Sequence, residues 1–489
     1  MTSAIIGYTG FIGSYLRTQI FETCDLYNSK NIADIKDKHY DIVYITALPA
    51  TKWLVNKNPI DDLNNILYLQ DNLKQCTANT VVLISTIDIY SKDVMEQNED
   101  DEEITKEPYG KHRYMMEQWT QTNFKNTYII RLPGIFGFGL KKNIIFDLLN
   151  DNNVNQINPF SIFQWYYLED LWEDIQHLLK TKNRLCNLFS EPIRVFDIIS
   201  KCFPHIENSF PEYDAVDKLT VKYNYKSKYS MRSKKDILHK LKKFIYMHKQ
   251  ISNLVVSNLC WLQEDESHAL SILKRYGINK LELAITRYMS WDAIIPLDSL
   301  HQLKDFEIYS FQSLFYAIPY NLFINPDQFV NHFKNVIRFA KKSNIKRLVF
   351  GSPLNRKKPN GFVDADDFFV NVMLKVVSNE DMGDVIICIE PNAKQYGCNF
   401  IVNIEEALTI INKINHPNVL LNYDTGNAIM MNDFYKPKKI GHIQISAPFL
   451  NQIKDYQIVL NRREHVRSLE MKSVPIKQFE SNIKCFCLL

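Results

Sequence analysis

The chain has 489 residues, 58 lysines and arginines against 55 aspartates and glutamates, and a formal net charge of +3. That length suits two or three domains, and so balanced a charge argues against a nucleic-acid partner, which calls for a strongly basic face. No apolar run reaches the about 18 residues of a membrane span, the N-terminus runs into a strand rather than a secretory signal, and nine scattered cysteines without a CxxC pair read as free thiols in a reducing compartment, so we expect a cytoplasmic protein with no membrane partner.

In chain order, the first informative stretch is Ile5-Ile6-Gly7-Tyr8-Thr9-Gly10-Phe11-Ile12-Gly13. An apolar run ends in three glycines spaced three apart, and the amphipathic segment Ser14 to Phe21 follows. This predicts strand, tight turn and helix, the shape of a dinucleotide elbow. Glycine allows φ > 0 and close approach of a pyrophosphate, and the amides of Phe11 and Ile12 open the helix toward it. Gly7, Gly10 and Gly13 are therefore candidate cofactor residues; a glycine-rich turn without ligand is the alternative. Further strands are predicted at 24–27, 41–47, 80–85 and 127–132, alternating with helices as in a parallel sheet. The second ends in Leu26-Tyr27-Asn28-Ser29-Lys30, without the acidic residue that holds a ribose 2′-hydroxyl. Asn28 and Lys30 are the candidates there, and Ser29 with Lys30 suits a 2′-phosphate, so within NAD(P) the expectation favours NADP.

The strand Val81 to Ile84 runs into Ser85-Thr86, and Glu107-Pro108-Tyr109-Gly110-Lys111-His112-Arg113 opens a helix. Tyr109 and Arg113, four apart, share a helical face. The cation is expected to lower the Tyr109 pKa from about 10, while a hydroxyl of Thr86 or Ser85 holds the substrate oxygen. The acidic run 98–103 reads as a solvated loop.

The glycine triplet, Ser85-Thr86 before Ile89-Tyr90, and Tyr109 to Arg113 resemble the extended short-chain dehydrogenase/reductase family of nucleotide-sugar epimerases, dehydratases and reductases. Arg131-Leu132-Pro133-Gly134-Ile135-Phe136-Gly137 and Trp165 to Leu171 continue the likeness over most of residues 1–248. The resemblance implies a Rossmann-type fold, Tyr109 as catalytic base and acid, Thr86 as its hydroxyl partner, and a small-molecule sugar or nucleotide-sugar substrate. Arg113 stands where the family usually has lysine, and its donor geometry differs. The resemblance leaves a homodimer open.

Ile237, Leu238, Leu241, Phe244 and Ile245 recur at helical spacing among lysines, which predicts an amphipathic helix ending the first domain near residue 248. Eight strands then follow at 253–259, 280–285, 305–312, 346–352, 385–390, 418–423, 440–446 and 466–471. Eight strands with intervening helices match a (β/α)8 barrel; a doubly wound sheet is the alternative. Glu390, Asp424, Glu470 and Glu282 close apolar runs at strand ends. There they either converge on the barrel mouth or cap helices.

Leu281-Glu282-Leu283-Ala284, Phe350-Gly351-Ser352-Pro353 with Asn355-Arg356, Ile389-Glu390-Pro391-Asn392, Asp424-Thr425-Gly426-Asn427, His442-Ile443-Gln444-Ile445-Ser446 and Ser468-Leu469-Glu470-Met471 resemble the xylose isomerase-like family of sugar-phosphate isomerases and epimerases. The resemblance implies a divalent metal, Mn or Mg, on Glu390, Asp424 and Glu470, with Gln444 in the place of the family's histidine ligand and His442 one layer deeper. It also implies Glu390 and Glu470 as the acid/base pair, and Glu282 lining the pocket. The expectation is an α/β protein. A Rossmann-type doubly wound parallel sheet occupies residues 1–248 and a TIM barrel residues 252–477, together a bifunctional sugar-modifying enzyme. A catalytically degenerate cofactor- and sugar-binding protein is the alternative.

Overall fold

In the computed structural model the described residues are 2–20, 24–91, 96–101, 103–206, 222–229, 231–291, 293–378, 382–433, 439–447 and 466–487; Phe21, Glu102 and His465 lie outside them. The chain divides into two compact units, Met1–His248 and Lys249–Leu489.

The strands of the first unit are β1 (Ser3–Ile6), β2 (Cys24–Tyr27), β3 (His39–Ile45), β4 (Thr77–Thr86), β5 (Thr127–Leu132), β6 (Gly134–Phe136), β7 (Ile162–Phe163), β8 (Trp165–Tyr167), β9 (Leu185–Asn187) and β10 (Ile193–Arg194). Six of them form a parallel sheet in the order β2-β1-β3-β4-β5-β9. Alternate residues serve opposite faces. Ile5, Tyr44, Val82 and Ile130 join one buried cluster, and Ala4, Ile6, Val43 and Leu83 another. A parallel sheet covered on both faces therefore reads as unbroken apolar runs, and that is why the five longer strands were legible. Three-residue β9 has too few positions to show a period. The strand order reverses between β1 and β3, and ligands of such sheets bind at the carboxyl ends beside that switch. The helices that matter are α1 (Phe11–Gln19), α2 (Lys52–Lys57), α3 (Pro59–Leu73) and α4 (Pro108–Asn123). One expectation fails. The acidic run is not wholly solvated, because Glu99 is buried and accepts from the amides of Asn187 at 2.7 Å and Lys228 at 2.9 Å. The helix Lys234–Gln250 buries Ile237, Leu238, Leu241, Phe244 and Ile245, as its spacing predicts.

The second unit is a closed barrel of eight parallel strands: β11 (Leu254–Ser257), β12 (Lys280–Ala284), β13 (Glu307–Gln312), β14 (Arg347–Phe350), β15 (Ile386–Ile389), β16 (Val419–Asp424), β17 (Ile440–Ile445) and β18 (Arg467–Leu469). Each falls within a predicted strand or within one residue of it. Closure by β11 on β18 rules out the doubly wound alternative. Leu281, Leu283, Phe311, Tyr423, Ile443 and Ile445 are buried. Between them in sequence, polar Glu282, Ser310, Asn422, His442, Gln444 and Ser468 turn inward and are buried too. The barrel interior is thus a hydrogen-bonded polar network rather than stacked aliphatic layers.

Candidate active sites

At the end of β1, Gly7 has φ +89°, its amide donates to the Tyr27 carbonyl at 2.8 Å, and the Gly10 amide donates back to the Gly7 carbonyl at 3.0 Å. A side chain on Gly7 would place Cβ 2.6 Å from the Ala47 Cα, and one on Gly13 would place it 2.1 Å from the Gly7 carbonyl oxygen. Both positions require glycine because β1, β3 and α1 meet there. At Gly10 a Cβ would meet only the Gly7 oxygen, at 3.3 Å, so that side is open. Gly10 opens α1 without a side-chain cap. The first amides of the helix, with Phe11 and Ile12 packed by their side chains on the core, are the available anion donors. Beyond β2, Asn28 is committed to its own turn: its Oδ1 accepts from the Lys30 amide at 2.8 Å and its Nδ2 donates to the Tyr8 hydroxyl at 3.3 Å. Lys30 is exposed.

Thr86 ends β4, and its hydroxyl accepts from the Asp88 amide at 3.1 Å. Ser85 is drawn instead into a buried cluster, donating to Glu117, which pairs with Arg131 at 2.6 Å. Tyr109, in the first turn of α4, lies beside the Thr86–Tyr90 turn because Gly110 packs tightly there: a Cβ on it would lie 2.0 Å from the Asp88 carbonyl oxygen. Arg113 does share a face with Tyr109, its guanidinium 4.1 Å from the ring centre. The expected lowering of the Tyr109 pKa is nevertheless overturned. Burial pushes it up to about 12, and the pull of Arg113 does not offset this. Arg113 is itself spent. It forms a bidentate pair with Asp62 of α3, at 2.5 and 3.0 Å, both side chains 2% exposed, and it also donates to the Pro49 carbonyl. His112 sits on the same carboxylate at 2.8 Å. Asp62 was missed because nothing local marks it; it meets Arg113 from 51 residues away.

In the barrel, Glu390, Asp424 and Glu470 line one cavity of about 650 Å³. Glu390 follows β15, Asp424 ends β16 and Glu470 follows β18. Asp424 also caps the helix Thr425–Met431: its Oδ1 accepts from the Asn427 amide at 2.6 Å, and its Oδ2 from the Ser446 hydroxyl at 2.6 Å. Glu390 Oε1 accepts from Asn392 Nδ2 at 2.6 Å and Asn427 Nδ2 at 2.8 Å. Burial raises all three carboxyls, and repulsion from neighbouring carboxylates adds to it, at Asp424 from Glu282. Glu390 is pushed up to about 8, with Asp424 the main charged neighbour, and Glu470 is raised well above the ordinary range, mainly by burial and then by Glu390.

Two expected members lie elsewhere. Glu282 is fully buried one layer below, where its two oxygens take four donors: His442 Nε2 at 2.8 Å, Gln444 Nε2 at 2.9 Å, Ser310 at 2.7 Å and Ser468 at 2.8 Å. Burial works against its charge, but His442 and these donors outweigh burial and hold its pKa below the usual carboxylate value. Gln444 is fully buried and belongs to this network; its oxygen accepts from Asn422. Among the described residues no three His, Cys, Asp or Glu side chains gather as a metal-ligand set; of the four residues expected to hold Mn or Mg, Glu390, Asp424 and Glu470 share the cavity and Gln444 does not line it. Under the cavity floor Arg356, fully buried, donates to the carbonyls of Gly351 at 2.6 Å, Phe400 at 2.6 Å and Glu390 at 2.7 Å, and to Asn392 Oδ1 at 2.7 Å. Burial lowers its pKa, yet arginine is not deprotonated in proteins, so it stays charged.

Among the described residues no helix is long and apolar enough to cross a membrane. No curated protein matches the chain. Among solved structures, a dTDP-4-dehydrorhamnose reductase from Clostridium acetobutylicum is 14% identical with a TM-score of 0.42, covering 51% of this chain and 100% of its own. The corresponding reductase from Yersinia enterocolitica is 14% identical with a TM-score of 0.41, covering 50% and 98%. A UDP-glucose 4-epimerase from Thermotoga maritima is 15% identical with a TM-score of 0.37, covering 50% and 97%. Family models match in each unit, the NAD dependent epimerase/dehydratase family over residues 16–182 and the xylose isomerase-like TIM barrel over residues 271–467. The first unit is thus similar to the epimerase/dehydratase family and the second to the xylose isomerase-like TIM barrel.

Proposed function

We propose that the chain is a bifunctional sugar-modifying enzyme. The observation that carries this is the cavity of about 650 Å³ with Glu390, Asp424 and Glu470 on its walls, in a barrel that matches the xylose isomerase-like TIM barrel model. A carboxyl raised to about 8 is poised near neutral pH for general acid and base work. One of the pair Glu390 and Glu470 takes a proton from the carbon beside the sugar carbonyl. The other, in its acid form, returns a proton to the opposite face or to the neighbouring oxygen. Asp424, held by Ser446 and Asn427, orients the hydroxyls.

In the first unit the open side of Gly10 and the uncapped amides of α1 fit a dinucleotide pyrophosphate, with Gly7 and Gly13 shaping the elbow and Lys30 facing a 2′-phosphate, so NADP is favoured over NAD. The nicotinamide supplies or accepts hydride when bound. Tyr109, neutral at working pH, gives the hydroxyl proton of the sugar carbon, and Thr86 holds the same oxygen. A second reading, cofactor binding without turnover in this unit, is favoured by one observation: Arg113, in the lysine position, is locked onto Asp62.

The test is direct. Loss of nicotinamide absorbance with NADPH and a keto-sugar nucleotide, abolished in Tyr109→Phe, supports oxidoreduction; cofactor binding with no absorbance change supports the second reading. For the barrel, aldose–ketose interconversion or epimerisation in free-sugar panels should disappear in Glu390→Gln. Activity untouched by that change removes the acid/base assignment.

A further inference from the structure

We propose that the barrel cavity works without a divalent cation, with Glu390 and Asp424 served by protein donors. This rests on reading the cavity as a sugar site and states how ligand and carboxylates meet there. Three observations carry it.

The fourth position of the implied ligand set is lost in both chemistry and place. Gln444 donates to Glu282 at 2.9 Å and accepts from Asn422, so both ends of its amide are engaged. It is fully buried in the layer below and absent from the cavity wall. His442 does not stand in: its Nε2 is bound to Glu282 at 2.8 Å, and the residue is buried in the layer below, absent from the cavity wall.

Of the carboxylate oxygens that remain, Glu390 Oε1 and both oxygens of Asp424 are already supplied. A hard cation asks for six or more oxygens with open lone pairs. Here Glu390 Oε1 takes two amide N–H groups, and both oxygens of Asp424 are occupied, one by the Asn427 amide and one by the Ser446 hydroxyl. A metal would have to displace these donors and uncap the helix Thr425–Met431.

Part of the carboxylate charge is also offset by a buried cation. Arg356 has no carboxylate partner within ion-pair distance among the described residues; its bonds go to four backbone carbonyls and the Asn392 oxygen. Its positive charge reaches Glu390 through one side chain. Arg356 Nη2 donates to Asn392 Oδ1 at 2.7 Å, and Asn392 Nδ2 donates to Glu390 Oε1 at 2.6 Å. The guanidinium fixes the amide so that its N–H side faces the carboxylate, which supplies part of the electrostatic stabilisation a cation would give. Hydroxyls of a sugar then meet the carboxyl groups directly.

The experiment uses the full-length protein, purified without chelator. Metal content is measured by mass spectrometry, Mn²⁺, Mg²⁺ and Zn²⁺ are titrated calorimetrically, and Tm is read with and without EDTA, with Asp424→Asn and Glu470→Gln in parallel. The expected result is far less than one equivalent of metal, no saturable heat and no Tm shift from either metal or chelator. Saturable binding of one equivalent that Asp424→Asn abolishes overturns the proposal. Binding that neither Asp424→Asn nor Glu470→Gln changes lies elsewhere on the chain and leaves the cavity cation-free; binding that either change weakens overturns the proposal. An inactive barrel that also takes no metal removes the sugar-site reading alone, whereas an active barrel that needs metal removes this proposal alone.

Discussion

The two candidate sites handle buried charge in opposite ways. In the first unit each buried cation near the site is matched to a carboxylate: Arg113 to Asp62 and Arg131 to Glu117. In the barrel three carboxyls share one cavity, while the buried arginine below them is bonded to carbonyls. Paired charges largely cancel and leave burial the main influence on Tyr109. Crowded like charges push one another's pKa upward and leave protons mobile near neutrality. The lesson is that a matching motif does not by itself deliver a tuned group. The partner of the cation decides, and in the first unit that partner is Asp62.

The contrast is broken most severely by removing Arg356. Arg356→Met strands the carbonyls of Gly351, Phe400, Ile401 and Glu390 in a buried site and is expected to cost about 4 kcal/mol or more, read by urea denaturation. A wild-type midpoint would show that the guanidinium is dispensable. Next, Asp62→Ala leaves Arg113 uncompensated where it is 2% exposed and should cost about 3 kcal/mol; Asp62→Asn, which keeps one hydrogen bond, should cost less.

The barrel side is sharpened by pH. The folded Glu390 carboxyl holds its proton up to about 8, whereas in the unfolded chain it ionises near about 4.3. Between those values the folded state binds more protons, so stability falls as pH rises through that window and is fully present only below it. Thermal melts from pH 5 to 8 should show this decline, and Glu390→Gln, which mimics the acid form, should flatten it. An unchanged slope in that variant would assign the titration to another group. The same substitution should lower turnover by about 10² to 10⁴. The smallest effect is expected at Lys30. Lys30→Ala should weaken NADP relative to NAD by about tenfold, roughly 1.4 kcal/mol, in fluorescence titrations; equal loss for both cofactors would deny a 2′-phosphate contact.

Legibility followed the range of the forces involved. The glycine elbow was readable because its demands are local: Gly7 needs φ > 0 and Gly13 needs space for the Gly7 carbonyl. The helical face shared by Tyr109 and Arg113 was readable from a spacing of four. What Arg113 bonds to was not, since Asp62 lies on another helix. Glu282 looked like a site residue because it sits among leucines on a strand. Its depth, and its four donors from β13, β17 and β18, depend on where the strands lie across the barrel. Asn392 and Asn427 stood inside the quoted motifs without a role, because an amide becomes functional only through the carboxylate it faces.

By itself, the amino-acid order determined the succession of strands and helices and the class of both halves, since period-2 alternation, unbroken apolar runs and glycine spacing act over a few residues. Tertiary structure alone decided which charged groups are neutralised, which carboxyls crowd together and whether Gln444 faces a ligand or a neighbour. Those outcomes depend on burial and on through-space distances of a few ångströms between residues tens to hundreds of positions apart, which no local pattern records.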